Sequence, residues 1–185
     1  LDVVIFSVSI LSLKKVLDSF PPSFFKDKLV TEVLSVKKFP KSLLSKLENS
    51  DILLTHPMFG PDSAKESWEN KPFIYHPQII KNDIRYKHYL RFWSKQGCNM
   101  IVMTPENHDF ITANSQFLTH LTGRLIGSFN PTKSLIDTDG FKSLLLSMRQ
   151  GRLKESFANE FDDESTGDMV TTLFFLFRSF IRSFL

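Results

Sequence analysis

Short apolar runs alternate with amphipathic stretches along the first half of the chain. Val3–Phe6, Lys28–Leu34 and Asp51–Leu54 are apolar enough to predict buried strands. Between them, apolar residues recur at helical spacing over Ile10–Phe20, and Phe39–Leu47 forms a shorter helical stretch. This β-loop-α-β-loop-α-β order predicts a parallel sheet with helices packed on its faces.

The second half continues this pattern and then becomes helical. Pro72–Tyr75 and Asn99–Met103 predict two more strands, with a helix over Ile84–Lys95 between them. The pattern next predicts one long helix over Pro105–Ser128, preceded by the threonine and proline that are typical of a helix start. A last short helix is expected over Phe141–Met148.

Beyond residue 148 the composition and the apolar periodicity of the sequence change. Residues 149–168 are charged and lack an apolar period, whereas Met169–Leu185 is rich in Phe and Leu, with Arg178 and Arg182 four residues apart. This tail fits an amphipathic helix, an interface, or sequence that does not belong to the fold. It is too short and too charged to predict a membrane-spanning helix, and we expect no membrane partner.

Composition and charge narrow the classes of partner. The net charge is +3 and the basic residues are scattered, which argues against a nucleic-acid partner and suits a cleft for an anionic small molecule. Cys98 is the only cysteine, so we expect no intrachain disulfide and no metal site built from cysteines. The chain opens inside a predicted strand and without an initiator Met, so we expect it to be incomplete at its front.

The candidate chemistry centres on the stretch Thr55–Pro61, which contains a His-Pro-Met-Phe-Gly-Pro sequence. We expect the third strand to end where His56 begins, because Pro57 and Gly60 do not allow a simple continuation. A histidine at the carboxyl end of a strand is well placed for proton transfer, since ligands bind at that edge of open α/β sheets. The same residues fit a simple turn in which His56 caps the strand.

Five short motifs follow one another along the chain. They are Asp2–Ile5 with Ser7–Ser12, Val33–Lys37, Thr55–Pro61, Glu106–Asp109, and Ser115–Phe117 with Thr119–His120. In this order and spacing they resemble the prephenate/arogenate dehydrogenase family, and in particular its plant members, over about residues 1–146. The resemblance implies an α/β fold: part of a mostly parallel, Rossmann-like dinucleotide-binding domain over residues 1–104, the start of a helical substrate and dimerisation domain over residues 105–148, and a divergent tail over residues 149–185.

The resemblance also implies a reaction. The family oxidises and decarboxylates a cyclohexadienyl ring, with NADP or NAD as the hydride acceptor. For the plant members this is the NADP-dependent conversion of arogenate to tyrosine in plastids, and prephenate is the alternative substrate within the family. A general base must take the hydroxyl proton, and the resemblance assigns this role to His56. It further implies a homodimer, although the family's dimer-helix pattern is not found after residue 146.

Contacts to cofactor and substrate follow from the same resemblance. Ser35 is expected beside the nicotinamide, where it would orient the reacting hydroxyl; otherwise it is a serine that caps a loop. The implied residues divide into cofactor contacts at Ser7, Val8, Ser9 and Ser35, and substrate contacts at Asp62, Asp109, Ser115, Gln116, Thr119 and His120. Taken alone, His120 is more often a satisfied helical histidine than a ligand.

Asp109 is the candidate for substrate specificity. Arogenate carries an amine where prephenate carries a keto group, and a carboxylate close to that amine would favour arogenate by charge pairing. An equally good interpretation is an early-helix acid that the helix dipole stabilises.

The sequence departs from the family at a place that bears on activity. The glycine-rich phosphate loop of the family would precede the first strand, so we expect this chain alone to bind NADP poorly. An alternative interpretation is therefore a catalytically inactive remnant of the family that acts at most as an interaction partner. A different dinucleotide-linked enzyme, such as a hydroxyacid dehydrogenase, is disfavoured by the combination of His56 with Ser115 and Gln116.

Overall fold

A computed structural model describes residues 3–60 and 63–152, apart from the side chains of His120, Arg124, Leu125, Ser128 and residues 146–152. Asp62 and the part of the predicted tail from residue 153 onward lie outside the described residues. The chain divides into two compact units, Leu1–Ser115 and Gln116–Leu185, and each is described by itself.

One five-stranded sheet forms the centre of the first unit. Its strands are β1 (Val3–Phe6), β2 (Leu29–Glu32), β3 (Asp51–Pro57), β4 (Pro72–Ile79) and β5 (Asn99–Val102), and they lie side by side in this order. Strands β1, β2 and β3 are parallel, β4 is antiparallel to β3, and β5 is parallel to β4. The predicted α/β class with a mostly parallel sheet is confirmed.

The third strand is longer than predicted. The prediction ended it at Leu54, but β3 continues through Pro57, so that His56 lies within the strand and opposite Ile74 of β4. The antiparallel neighbour is the physical reason, because β4 supplies backbone partners along the whole length of β3. The register shifts between Ile52, which lies opposite Ile79, and Leu53, which lies opposite Pro77; bulges of this kind are one of the few places where sheets accommodate proline.

The helices are named in chain order. They are α1 (Ile10–Asp18), α2 (Lys38–Leu44), α3 (Asp83–Lys95), α4 (Pro105–Ala113), α5 (Gln116–Ser128) and α6 (Asp139–Arg152), with a 3₁₀ turn at Pro22–Phe25 after α1. Helix α1 begins where the Ser9 side chain accepts a hydrogen bond from the backbone N–H of Ser12. The helix then buries Leu13 and Leu17 on its inner face, as its spacing predicts.

The single long helix predicted after β5 is wrong: two helices, α4 and α5, occupy this stretch. Asn114 ends α4, and its side-chain amide donates to the carbonyl of Phe110 at 2.7 Å. The Ser115 hydroxyl donates to the carbonyl of Ile111 at 2.7 Å. Short polar side chains that bond to nearby carbonyls compete with helix continuation, and two of them in succession end α4 here.

The main apolar core lies between the sheet and helices α1 and α2. Its buried members are Phe6, Leu13, Leu17, Phe25, Val30, Leu34, Leu44, Ile52 and Leu54. Apolar burial of this kind contributes about 25 cal/mol per Å², and it fixes the strands whose ends carry the candidate site. Within the part of the chain that the structure covers, no helix is both long and apolar enough to cross a membrane.

Leu13→Ala should lower the free energy of unfolding by about 2–5 kcal/mol, because Leu13 is fully buried and its loss leaves a cavity. Urea unfolding followed by tryptophan fluorescence measures this. Leu11→Ala, at an exposed position of the same helix, is the matched control and should change the value by less than about 0.5 kcal/mol. Equal losses in the two variants would contradict the core assignment.

Candidate active site

The carboxyl ends of β1, β2 and β3 meet at one edge of the sheet because the three strands are parallel. His56 lies at this edge near the end of β3. The loops that follow β1 and β2 carry Ser7, Ser9 and Ser35. The topology therefore brings the predicted base and the predicted cofactor loops to one edge, which is where open α/β sheets bind their ligands.

A second histidine contacts His56. The Nδ1 atom of His56 lies 2.8 Å from Nε2 of His108, and Nδ1 of His108 lies 2.8 Å from Oδ1 of Asp109. His108 is only 2% exposed, whereas His56 is half-buried. The prediction from sequence did not assign a role to His108. The sequence feature that could have pointed to His108 is the His-Asp pair at the start of a predicted helix. Sequence alone could not show that this helix, α4, packs against the end of β3.

Asp109 joins this chain to the start of α2. Its Oδ1 accepts a hydrogen bond from the backbone N–H of Lys37 at 2.7 Å, and its Oδ2 accepts from Lys38 at 2.9 Å. Burial raises the pKa of Asp109, but hydrogen bonds from His108 and from these two backbone groups outweigh burial and hold the pKa below its ordinary value. The carboxylate therefore caps α2, a helix whose own N-cap side chain makes no capping bond.

A buried ion pair between Glu32 and Lys37 lies next to the candidate site. Lys37 Nζ donates to both carboxylate oxygens of Glu32, at 2.5 and 2.6 Å, and to the backbone carbonyl of Thr55 at 2.5 Å. The same carboxylate accepts from the backbone N–H groups of Thr55 at 3.2 Å and Leu34 at 2.8 Å. The pair thus fixes the residue before His56 and the two ends of the loop that carries Ser35.

Neither charge of this pair contacts solvent. The Lys37 side chain is 2% exposed and the Glu32 side chain is fully buried. Burial raises the pKa of Glu32 and lowers that of Lys37, while the attraction between the two groups opposes both shifts. Two buried charges with this many hydrogen bonds are stable together, and each is costly if the other is removed.

Aromatic side chains cover the turn after β3. The ring centroids of Phe59 and Trp68 lie 5.6 Å apart, and Trp68 stacks on Trp93 of α3 at 5.1 Å. Trp93 in turn stacks on Phe73 of β4 at 4.4 Å. These contacts anchor the turn three residues beyond His56 to α3 and β4.

The predicted cofactor residues differ in their surroundings. Ser7 and Ser35 are exposed in their loops, while Val8 packs against the core and Ser9 caps α1. The two exposed hydroxyls follow β1 and β2 at the sheet edge that also carries His56, and their predicted contacts with a cofactor stay predictions. The loops after β1 and β2 contain no glycine, the residue that lets a loop backbone approach a pyrophosphate closely.

The predicted substrate residues fall into three groups. Asp109 contacts the site described above, and Ser115 lies at the end of α4 in the first unit. Gln116 and Thr119 lie on α5 in the second unit, as does the backbone of His120. Asp62 and the side chain of His120 are outside the described residues, so their predicted contacts stay predictions.

Comparison with known proteins agrees with this fold. Residues 1–102 match the family model described as the prephenate dehydrogenase nucleotide-binding domain. The sheet topology and this match together place the chain among the nucleotide-binding α/β oxidoreductases. Because the match covers more than half of its residues, the chain belongs to the prephenate/arogenate dehydrogenase family.

Curated relatives include plant and microbial enzymes. Arogenate dehydrogenase 2, chloroplastic, of Arabidopsis thaliana is 43% identical over 151 residues, which is 78% of this chain and 42% of the relative. The probable arogenate/prephenate dehydrogenase of Methanocaldococcus jannaschii is 30% identical over 130 residues, which is 69% of this chain and 29% of the relative. The chain thus spans less than half the length of these relatives.

Solved structures show the same fold. Prephenate dehydrogenase from Aquifex aeolicus, in complex with hydroxyphenyl propionate and NAD+, superposes with a TM-score of 0.58 at 20% identity, covering 98% of this chain and 70% of the other. Synechocystis arogenate dehydrogenase gives a TM-score of 0.55 at 19% identity, covering 98% of this chain and 69% of the other.

Lys37→Met should lower the free energy of unfolding by about 3–5 kcal/mol, because it leaves the Glu32 carboxylate buried without its cation. Urea denaturation measures this. The double variant Lys37→Met with Glu32→Gln should recover more than half of the loss, and Lys38→Met, at the exposed neighbouring position, is the control. A double variant no more stable than the single one would contradict the ion-pair account.

Asp109 should make the chain less stable in acid. Its pKa in the folded state lies below the unfolded value of about 3.9, so its contribution is complete above that value and is lost as the pH falls through the folded pKa. We therefore expect the free energy of unfolding, measured by urea denaturation between about pH 6 and pH 3, to fall less steeply with pH in Asp109→Asn than in the unmodified chain. Asp18→Asn, on the exposed face of α1, is the control; identical slopes for Asp109→Asn and the unmodified chain would refute the assignment.

Proposed function

We propose that this chain carries the catalytic base of an NADP-dependent arogenate dehydrogenase, which converts arogenate to tyrosine and can also take prephenate. The observation that carries the proposal is His56 at the carboxyl edge of the sheet, held through Nδ1 by the buried His108. Membership of the family and the likeness to the chloroplastic plant enzymes support the choice of substrate.

The chemistry asks little of the protein beyond one base. The nicotinamide, when bound, accepts the hydride from the ring carbon that carries the hydroxyl. His56 takes the hydroxyl proton at the same time, so that the C–O bond gains carbonyl character. The ring C–C bond to the carboxylate then breaks and carbon dioxide leaves. The electron pair of that bond moves through the ring to the carbonyl oxygen, which takes a proton to become the hydroxyl of the aromatic product. Base catalysis of this kind is typically worth about 10²–10⁴ in rate.

The remaining residues position the reactants. Ser35 is exposed beside the same edge and orients the reacting hydroxyl toward His56. Ser7, and with it the loop through Ser9, holds the nicotinamide half of NADP. The choice of NADP over NAD rests on the likeness to the plant enzymes.

The substrate side is proposed from the resemblance. Ser115, Gln116, Thr119, His120 and Asp62 bind the ring and its side chain in this proposal. The contacts of Asp109 support a positioning role instead of a contact with the substrate amine, because both of its oxygens bond to α2 and to His108. A plastid location and a homodimer are proposed on the same family grounds.

A second candidate function is a non-catalytic family member that associates with an intact relative. The observation that favours it is the lack of glycine in the loops after β1 and β2, which leaves the pyrophosphate without a backbone cradle in these residues. The two candidates differ in turnover and can be separated by one assay.

The assay measures NADPH formation with arogenate and with prephenate in separate reactions. It uses the 185-residue chain and a longer chain that carries a glycine-rich nucleotide-binding segment ahead of Leu1. Turnover with arogenate in either protein supports the proposed function. No turnover in both, with NADP bound by the longer chain, would overturn it in favour of the non-catalytic candidate.

His56→Asn in the active protein should lower kcat by about 10²–10⁴ and leave NADP affinity within about threefold, because the variant loses the base and keeps the fold. Steady-state kinetics and NADP titration measure the two effects. His88→Asn, at an exposed position of α3, is the matched control and should behave like the unmodified protein. A large loss of NADP affinity with little change in kcat would show that His56 has another role.

A further inference from the structure

The three linked groups at the site determine where the protons lie. Both oxygens of Asp109 accept hydrogen bonds from backbone N–H groups, so the side chain is present as a carboxylate. A carboxylate only accepts, so Nδ1 of His108, at 2.8 Å, must carry the proton that it donates to Asp109. His108 is 2% exposed, so bulk water does not compete for this bond.

The same reasoning extends to His56. A neutral imidazole has one protonated and one unprotonated nitrogen, so Nε2 of His108 is an acceptor once Nδ1 donates. That acceptor lies 2.8 Å from Nδ1 of His56. The hydrogen bond therefore requires a proton on Nδ1 of His56, which leaves the lone pair of the ring on Nε2.

We propose that Asp109 and His108 are positioning residues that hold His56 in the Nδ1-protonated tautomer, so that Nε2 is the atom that takes the substrate's proton. The inference rests on the function proposed above and names two residues that act through its base. When Nε2 takes the proton, His56 becomes an imidazolium. The Nδ1–H bond to His108 stays in place, and no second proton needs to move.

The charge of Asp109 then has a second effect. It lies one imidazole ring away from the cation that forms on His56, and it stabilises that cation through the polarised His108 ring. Because the same carboxylate caps α2, the helix that follows the Ser35 loop, it also fixes that loop relative to the base. One side chain therefore sets the orientation of the base and the place of the loop beside it.

Nitrogen NMR of the ¹⁵N-histidine-labelled 185-residue chain tests the tautomer without any turnover. Spectra are recorded at about pH 8, more than one unit above the ordinary histidine pKa of ~6.5, and the signals of His56 are identified by their loss in His56→Asn. We expect a protonated Nδ1 and an unprotonated Nε2. An unprotonated Nδ1 in the unmodified chain would overturn the proposal outright.

Two substitutions of His108 separate its positioning role from its packing role. His108→Gln keeps a carbonyl that accepts from His56 and an amide that donates to Asp109, so the tautomer should persist. His108→Leu fills the same space without either group, and the signal should shift toward the Nε2-protonated form that histidine prefers in water. A His56 tautomer that stays the same in His108→Leu would overturn the proposal, as would its loss in both variants.

Kinetics of the active protein add a second readout. His108→Leu should lower kcat at least about tenfold, with KM within about threefold, and the loss should not exceed the ~10²–10⁴ that base catalysis supplies. His108→Gln should restore most of kcat. A correct tautomer without turnover in any protein would refute the proposed function and leave the positioning role intact; normal kcat in His108→Leu would refute the positioning role.

Discussion

The buried pair of Glu32 and Lys37 is the constraint on which the rest of the first unit depends. It ties the end of β2, the start of α2 and the backbone of β3 at Thr55 into one hydrogen-bonded unit. Neither group tolerates removal of its partner, since an uncompensated buried charge costs several kcal/mol. Because His56 follows Thr55 directly, this pair helps to fix the position of His56 at the end of β3.

Contacts between residues far apart in the chain hold the rest of the candidate site together. Asp109 bonds to Lys37 and Lys38 across more than seventy residues, and His108 reaches His56 across 52. Helix α4 thus packs its first turn, through His108, against His56. Its first turn also pairs with α2 through Lys41 and Glu106, at 2.9 Å on the exposed side. The buried and exposed contacts together hold α4 at one place along α2.

Local sequence patterns predicted an element well where its own residues determine its bounds. The first strand and the inner face of α1 follow from runs of apolar residues, and His56 follows from a conspicuous motif. Failures occur where a distant partner decides the outcome: β3 runs past Leu54 because β4 pairs with it, and the role of His108 exists only because α4 packs beside β3. The break at Asn114 is a failure of another kind, since the prediction followed the apolar spacing and did not weigh two adjacent side chains that bond to the last carbonyls of α4.

The reversal of β4 has a consequence for how this region can vary. Because β3 and β4 pair directly, with His56 opposite Ile74, the connection between them begins and ends at neighbouring points of the sheet. Its length is then weakly constrained, since doubling a flexible loop costs only about 0.6 kcal/mol. Insertions between Phe59 and Trp68 would lengthen this connection without changing the pairing of His56 with Ile74. Related chains can therefore differ in the length of this connection while the histidine keeps its place in the sheet.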